Sequence, residues 1–368
     1  MLDMAKLLVE HESPSREKFA LDGLADTLTR IMQASGASVE RVKNQRAGDH
    51  LRALWRPQVV NRLRPALVLC HFDTVWPIGT LSRIPWRLQG ESASGPGLYD
   101  MKASLVIVAF ALRAISECGA SLPRPVKALL TSDEEVGSPT SRQLIETEAN
   151  GSAYVLVMEP PLPDGSLKTA RKGVGAYTIT VEGRAAHAGV EPEKGANAIV
   201  ELAHQIVRIQ ALANRGTGTS LNVGLIEGGS TVNTVPARAH AQVDARATTL
   251  EEAGRIDASL RELRPIEGDC SLTIEGGWNR PPMERTPAST ALFKQAQAIG
   301  AGLDTKVGEG STGGGSDGNF TAALGVPTLD GLGCQGGGAH ATNEHILCQS
   351  LVDRVVFLAE LLLKLHAD

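Results

Sequence analysis

The chain has 368 residues, 42% of them hydrophobic, which is too long for one ordinary core and too apolar for wholesale disorder, so two globular domains are expected. Its 36 lysines and arginines stand against 41 aspartates and glutamates with a net charge of −5 and no long basic run, which argues against a nucleic-acid partner. Apolar stretches such as 105–112 are too short to span a bilayer, and the opening Met1-Leu2-Asp3-Met4 lacks the basic-then-apolar pattern of a signal peptide, so a soluble, cytoplasmic protein without a membrane partner is expected.

Ser15 reads as the N-cap of a helix running to about residue 33, with Glu17 in its first turn. Three apolar runs follow, at 66–70, 126–130 and 154–158, each short, continuous and β-rich, as strands buried on both faces should be. A helical stretch at 102–117 separates the first two, which predicts an α/β domain with a largely parallel sheet. From residue 173 the pattern changes to a strand at 176–182, an amphipathic helix at 196–213, strands at 220–227 and 237–247, a helix at 250–263 and a strand at 271–275. The 237–247 strand alternates strictly, with Ala239, Ala241, Val243 and Ala245 on one face and His240, Gln242, Asp244 and Arg246 on the other. The order βαββαβ is that of a split-βαβ, ferredoxin-like unit. An α/β pattern then resumes and ends in an amphipathic helix at 351–365. Residues 173–282 are therefore expected to form a domain inserted into a discontinuous one made of 1–172 and 283–368. The cysteines (Cys70, Cys118, Cys270, Cys334, Cys348) are odd in number and form no CxxC pair, so neither a disulfide framework nor a zinc knuckle is expected.

Each apolar run of the first half leads directly into acidic or imidazole side chains. His71 and Asp73 follow the first, Asp133, Glu134 and Glu135 the second, and Glu159 the third. Open parallel sheets bind their ligands outside the carboxyl ends of the strands. Asp100 lies in the turn Gly95-Pro96-Gly97-Leu98-Tyr99-Asp100 ahead of a helix, so Asp73, Asp100, Glu134, Glu135 and Glu159 converge on one region. Any one of them alone would read as a solvated loop acid. Together they cannot all stay ionised without a counter-charge, and lysine and arginine are scarce in these segments apart from Lys102. Two divalent cations resolve the conflict, and histidine mixed with carboxylate suits zinc, with manganese or cobalt as alternatives. His71 and Asp73, two apart, point the same way in extended chain, which suits a carboxylate orienting a metal-bound imidazole. Adjacent Glu134 and Glu135 point apart, so one can bind metal while the other acts as general base on a metal-held water.

Taken in order, His71-Phe72-Asp73-Thr74-Val75, Gly97-Leu98-Tyr99-Asp100-Met101-Lys102, Asp133-Glu134-Glu135-Val136-Gly137 and Met158-Glu159-Pro160 resemble the metal-site motifs of the M20 zinc peptidases. That family includes aminoacylases, acetylornithine and succinyl-diaminopimelate deacylases, and glutamate carboxypeptidases. The resemblance covers essentially the whole chain and implies a zinc-peptidase catalytic domain carrying an inserted α+β lid that dimerises. It implies that His71 and Glu135 hold one zinc and Glu159 and His340 the other, with Asp100 bridging them beside a cis peptide to Met101. It also makes Asp73 the residue that orients His71, and Glu134 the base. The last ligand falls in Gly338-Ala339-His340-Ala341-Thr342-Asn343-Glu344, where His345 competes for the role; Glu344, four residues after His340, matches the family pattern and favours His340. Gly183-Arg184-Ala185-Ala186-His187-Ala188-Gly189 resembles the segment of the lid histidine, which stabilises the tetrahedral oxyanion, often in the partner subunit's site. Asn233 and Arg246 match lid positions that bind the substrate carboxylate. Arg280 matches an arginine of the glutamate carboxypeptidases, and Lys168, Arg171 and Lys172 are further candidates to assist it.

Two other motifs compete. Gly308-Glu309-Gly310-Ser311-Thr312-Gly313 satisfies GxGxxG, a weak pattern here because no acidic ribose partner follows on a clean strand. Gly314-Gly315-Ser316-Asp317-Gly318 satisfies GxSxG, with Asp330 and His340 following in hydrolase order, so a serine hydrolase using Ser316 is a rival reading. It leaves the acids of the first half unexplained. A non-catalytic homologue that binds peptides or metal is a third reading, although every expected ligand and the base are present. The expectation is a homodimeric di-zinc hydrolase that cleaves the amide of N-acyl amino acids or short peptides with a free C-terminal carboxylate. Release of glutamate is favoured, and an aminoacylase or acetylornithine-type deacylase is the alternative.

Overall fold

In the computed structural model, which describes residues 1–58 and 62–367, the three apolar runs become neighbouring strands at the centre of a six-stranded sheet. The strand order is Ser38–Val42, His50–Trp55, Val126–Thr131, Ala66–His71, Tyr154–Val157 and Thr328–Leu329. The last four run parallel, and the first two form an antiparallel hairpin added at one edge. Both faces are buried, as continuous apolar strands require. Ala66, Val68, Cys70 and Leu156 point into one core with the helices Ala103–Glu117 and Cys348–Lys364, whereas Leu67, Leu69, Val155 and Val157 point into another with Ile145, Ala149 and Phe320. The edge hairpin was not expected, because strands such as Ser-Val-Glu-Arg-Val carry too few apolar residues to announce themselves.

The helix expected to start at Ser15 spans Lys18–Ala34, and no side chain caps it. Ser15 is instead buried, and its hydroxyl donates to Asp73 Oδ2 at 2.7 Å. A cap would need that hydroxyl to accept from N–H groups of the first turn; the helix instead begins three residues later and the hydroxyl serves as a charge-assisted donor to a buried carboxylate, so tertiary structure overrides the local capping signal.

The chain divides into two compact units. One comprises Met1–Ala170, Arg285–Thr312 and Ser316–Asp368, and the other comprises Arg171–Glu284 with Gly313–Gly315. The second unit is an antiparallel sheet ordered Ser220–Gly228, Arg238–Ala247, Gly173–Glu182, Ser271–Arg280, with the helices Ala198–Ala211 and Leu250–Arg261. Ala239, Ala241, Val243 and Ala245 bury against Leu202, Ile209, Ile256 and Leu260, so the alternation in that strand marks the helix-covered face. The last strand runs five residues beyond the expected 271–275. Gly276, at φ +98, permits this, since a Cβ there would lie 2.1 Å from the Ala176 carbonyl oxygen. Among the described residues no helix is long and apolar enough to cross a membrane, and all five cysteines are free thiols.

Candidate metal centre and active site

The parallel strands Ala66–His71, Val126–Thr131 and Tyr154–Val157 deliver His71, the Glu134–Val136 turn and Glu159 to one edge of the sheet. Asp100 joins them from the turn before the Ala103–Glu117 helix, with a cis peptide to Met101. His340 arrives from the C-terminal part of the chain with φ +62, a left-handed conformation that costs a non-glycine residue about 1–3 kcal/mol.

Asp100 divides its two oxygens between the two imidazoles. Its Oδ1 lies 3.1 Å from His71 Nε2 and its Oδ2 3.4 Å from His340 Nε2. His71 Nε2 is also 3.6 Å from Glu159 Oε1, and His340 Nε2 is 3.1 Å from Glu135 Oε2. These nearest contacts pair His71 with Glu159 and His340 with Glu135, the reverse of the partition that the resemblance implied. The Tyr154–Val157 strand lies directly beside the strand of His71, which brings Glu159 to that imidazole. The cluster remains continuous, because His71, Asp100 and Glu135 have ligand atoms within 4.8 Å of one another, as do His71, Glu134 and Glu159. His345, the competitor for the last position, has its Nδ1 2.9 Å from the carbonyl oxygen of Asn343 and lies in a short strand.

Two further carboxylates hold this cluster in shape. Asp73, fully buried, accepts the Ser15 hydroxyl and the backbone N–H groups of Glu134 and Glu135, the latter two at 3.1 Å. It contacts His71 as well, but the nearer atom to Nδ1 is its carbonyl oxygen at 3.0 Å, against 3.4 Å for Oδ1. The expected carboxylate–imidazole contact is therefore secondary to a role in shaping the Glu134–Glu135 turn. Glu344, also buried, accepts N–H bonds from Gly97 and Tyr99 at 2.9 Å, from Asp100 at 3.1 Å and from the Trp76 indole at 2.8 Å. Its spacing from His340 marked it in the sequence, but its grip on the Asp100 turn was invisible there.

The titration of the cluster follows from its crowding. Burial opposes a charged His71, yet its bonds to Asp100 and Asp73 hold its pKa well above the usual histidine value. Bonds to Asp100 and Glu135 raise His340 to about 10. Burial pushes the Glu135 carboxyl up; at Asp100 burial acts in the same direction but is outweighed by the bonds from His340 and His71, so its pKa falls. Lys102 does not supply the missing cation. Its Nζ donates to the His11 carbonyl at 2.7 Å, and burial lowers its pKa to about 7.

In the second unit the expected residues fall at two ends of one sheet. Arg246 and Arg280 lie in register with Val174 on either side of it. His187 and Asn233 lie beyond the Glu182–Arg238 end, where the Ala188 N–H donates to the Asn233 carbonyl and His187 bridges Thr234. Val174 and Glu182 are eight residues apart on one strand, roughly 26 Å at ~3.3 Å per residue. Asn233 and Arg246 of one chain therefore do not meet at one carboxylate, contrary to the simplest form of the expectation. Around Arg246 the structure gathers a different set. Arg171 Nη1 donates to the carbonyls of Gly314 and Gly315 at 3.3 and 3.2 Å, and Arg246 Nη1 to that of Gly313 at 3.3 Å. A Cβ on Gly315 would lie 2.7 Å from Arg280 Cδ. Arg246 is also paired with Asp244, its Nε 2.9 Å from Oδ1 and its Nη2 2.8 Å from Oδ2. Lys172 donates to the Gly218 carbonyl, so of the flanking cations Arg171 joins this group.

The competing motifs acquire structural roles. Ser316 is fully buried and its hydroxyl donates directly to Asp330 Oδ2 at 2.6 Å, so no imidazole stands between serine and acid as a triad requires. The GxGxxG segment runs through the strand Glu309–Thr312, paired with Leu167–Arg171, rather than through a strand-to-helix turn.

Residues 67–364 match the family model described as peptidase family M20/M25/M40. Carboxypeptidase G2 of Pseudomonas sp. (strain RS-16) is 30% identical over 302 residues, covering 80% of this chain and 72% of that protein. Succinyl-diaminopimelate desuccinylase of Delftia acidovorans is 27% identical over 353 residues, 88% of each chain. Among solved structures, the YXEP protein of Bacillus subtilis, described as a dinuclear metal-binding peptidase of the M20 family, superposes with a TM-score of 0.70. It is 14% identical, with 98% of this chain and 96% of that one covered.

The Glu344 network generates a prediction. In Glu344→Gln one of the two acceptor oxygens becomes an N–H2 donor facing donors, which should loosen the Asp100 turn. Metal affinity, measured by competition with a chromophoric chelator, should fall roughly 10–100-fold; an unchanged affinity would show that the turn holds itself.

Proposed function

The chain belongs to peptidase family M20/M25/M40 and is a hydrolase of its metallopeptidase class, and we propose that it cleaves the amide between an acyl group and a C-terminal amino acid, preferring glutamate as the leaving residue. The observation that carries this reading is the gathering of Asp100, Glu135 and Glu159 around His71 and His340, with Glu135 Oε1 buried and without a hydrogen-bond partner among the described residues. An unpartnered buried carboxylate oxygen, two imidazole nitrogens and a carboxylate turned toward both imidazoles form a donor set suited to two divalent ions, zinc foremost and cobalt or manganese as alternatives. His71 and Glu159 would hold one, His340 and Glu135 the other, and Asp100 both. Bound there, such ions polarise a carbonyl and acidify water.

The chain's own groups supply the proton transfers. Glu134, whose backbone Asp73 fixes, takes a proton from the attacking water as its oxygen adds to the amide carbon. It returns that proton to the nitrogen as the C–N bond breaks, and the second proton of the water passes from the new carboxyl group to the amine, leaving a carboxylate and an ammonium group. His187 donates to the oxyanion. Arg246 receives the α-carboxylate in exchange for part of its pairing with Asp244, and Arg280, with Arg171 beside the same glycines, receives the side-chain carboxylate of glutamate. The similarity to the Delftia protein supports a second reading, a deacylase that releases a different amino acid.

The separation of His187 and Asn233 from Arg246 along one sheet supports a homodimer, in which the two groups would serve different copies. The edge strand Ser220–Gly228 exposes Leu225 and Ile226, and the helix Ala198–Ala211 exposes Val200 and Val207, an apolar edge suited to pairing. Five free thiols fit a reducing compartment such as the cytoplasm.

Three outcomes are expected. Chelation should abolish hydrolysis of N-acyl glutamates and zinc, cobalt or manganese should restore it, while Glu134→Gln should retain metal and lose roughly a hundredfold or more in kcat; loss of metal in that variant would exchange the roles of Glu134 and Glu135. Mixing Glu134→Ala with His187→Ala subunits should regenerate activity, and inactive heterodimers would refute the exchange of histidines. Arg280→Ala should lower kcat/KM at least tenfold for N-acyl glutamate but not for N-acyl alanine, as loss of a charge-assisted contact predicts; equal losses would make Arg280 structural.

A further inference from the structure

Ser316-Asp317-Gly318, the centre of the GxSxG motif, takes no part in the chemistry assigned above, yet its polar groups are buried against the loop that carries Glu134 and Glu135. Ser316 fixes the stretch, its hydroxyl donating to Asp330 Oδ2 at 2.6 Å and its N–H to Asn319 Oδ1 at 2.9 Å. Gly318 fits it against the Tyr154–Val157 strand, since a Cβ there would lie 3.0 Å from Val157 Cγ2. Asp317 thereby sets its two oxygens against the two ends of one loop. Its Oδ2 accepts from the Thr131 hydroxyl at 3.3 Å, where the chain leaves the sheet beside His71. Its Oδ1 accepts from the Ser138 hydroxyl, where the turn ends. Glu134 and Glu135 lie between those two points.

The far end of the turn is built in an uncommon way. Gly137 at φ +89 is followed by Ser138 at φ +56, and Ser138 is fully buried. Glycine adopts that left-handed conformation without strain, so a serine there is destabilising unless its side chain compensates. What serine adds is a hydroxyl, and that hydroxyl goes to Asp317. The Gly137 N–H donates to the Glu134 carbonyl and the Ser138 N–H to the Asp133 carbonyl, both at 2.8 Å, which closes the turn on itself. Asp73 anchors its start through the N–H groups of Glu134 and Glu135. The bond to Asp317 ties its end to a segment 179 positions away.

We propose that Asp317 is a positioning residue for the metal centre: by clasping Thr131 and Ser138 it sets where Glu134 stands as base and where Glu135 presents its oxygens to metal. The effect on Glu134 rests on the amidohydrolase reading, whereas the effect on metal binding needs only the clustered ligands. A displaced base slows proton transfer without removing any group that holds substrate, so the loss falls on kcat rather than on KM.

The test uses the full chain with Ser138→Gly and Ser138→Ala. Both remove the hydroxyl; the first suits the left-handed backbone and the second keeps the Cβ, so a shared loss reports the hydroxyl and not backbone freedom. Each should lower kcat for N-acyl glutamate roughly 10–100-fold with KM changed less than about threefold. Each should also weaken zinc binding roughly tenfold, measured by competition with a chromophoric chelator. In the cobalt-loaded protein the visible absorption bands should shift, a readout that does not depend on turnover. Ser138→Gly should unfold at a midpoint close to the wild type's, because relief of strain offsets the lost hydrogen bond. Combined with Asp317→Ala, either change should cost less than the product of the single losses, as expected when both break one bond; if Asp317→Ala does not fold, the two Ser138 variants decide. Normal kcat and metal affinity in both Ser138 variants, a loss confined to the glycine variant, a lowered midpoint with normal kinetics, or fully multiplicative losses would each overturn the clasp and leave the hydrolase reading intact. A wild-type enzyme that binds metal but turns over no N-acyl amino acid would overturn the hydrolase reading, and the zinc affinity and cobalt bands of the Ser138 variants would then decide the role of Asp317.

Discussion

Crowding of negative charge at the carboxyl edge of the parallel sheet is the constraint from which the rest of the first unit follows. Asp100, Glu135 and Glu159 meet around His71 and His340 at distances where like charges cannot coexist in water-poor surroundings without compensation. Lys102 adds no compensating charge, since it turns away to the His11 carbonyl, and the imidazoles of His71 and His340, held protonated by their carboxylate partners, offset part of the negative charge. The chain also spends neutral donors. Backbone N–H groups and a serine hydroxyl satisfy Asp73, and three backbone N–H groups with an indole satisfy Glu344. Those donors fix the two turns that carry Glu134, Glu135 and Asp100, yet they leave the charge deficit at the centre for divalent ions to fill. A lysine in the cluster would have neutralised the site and removed its affinity for metal.

The second unit gathers positive rather than negative groups. Arg171 and Arg246 donate to the carbonyls of the glycines 313–315, and Gly315 leaves room for the Arg280 side chain, whose Cδ a Cβ there would meet at 2.7 Å. His187 and Asn233 stand at the far end of the same strands. A single sheet thus carries polar groups at both of its ends, separated by the length of the Gly173–Glu182 strand. Leu225 and Ile226 are exposed on its edge strand.

Much of this was legible in the chain because several signals are local. Continuous apolar runs identify strands buried on both faces, and the side chains that follow them must emerge at the strand ends, so His71, Glu134, Glu135 and Glu159 could be placed together before any coordinates. Strict alternation identified the buried face of the Arg238–Ala247 strand. The signals that misled were also local. Ser15 has the look of a helix cap, but its hydroxyl donates to a buried carboxylate 58 residues away and the helix starts at Lys18. Gly276 and Gly277 look like the end of a strand, but they let it continue past Ala176. The outer strand of the hairpin at the sheet edge gave no sign because three of its five residues, Ser38, Glu40 and Arg41, are polar.

By itself the sequence determined the chemistry available, since the residue types, their order and the strand pattern suffice to assemble an acidic, imidazole-bearing edge on an α/β sheet with an inserted antiparallel unit. Only the tertiary structure decided which groups touch. That His71 meets Glu159 and His340 meets Glu135 depends on which strands are neighbours and on the left-handed turn at His340. That Asn233 and Arg246 are separated depends on the antiparallel register of the sheet. Strand neighbours and register are settled by packing across the whole chain, where each contact joins residues tens to hundreds of positions apart, and no local pattern carries that information.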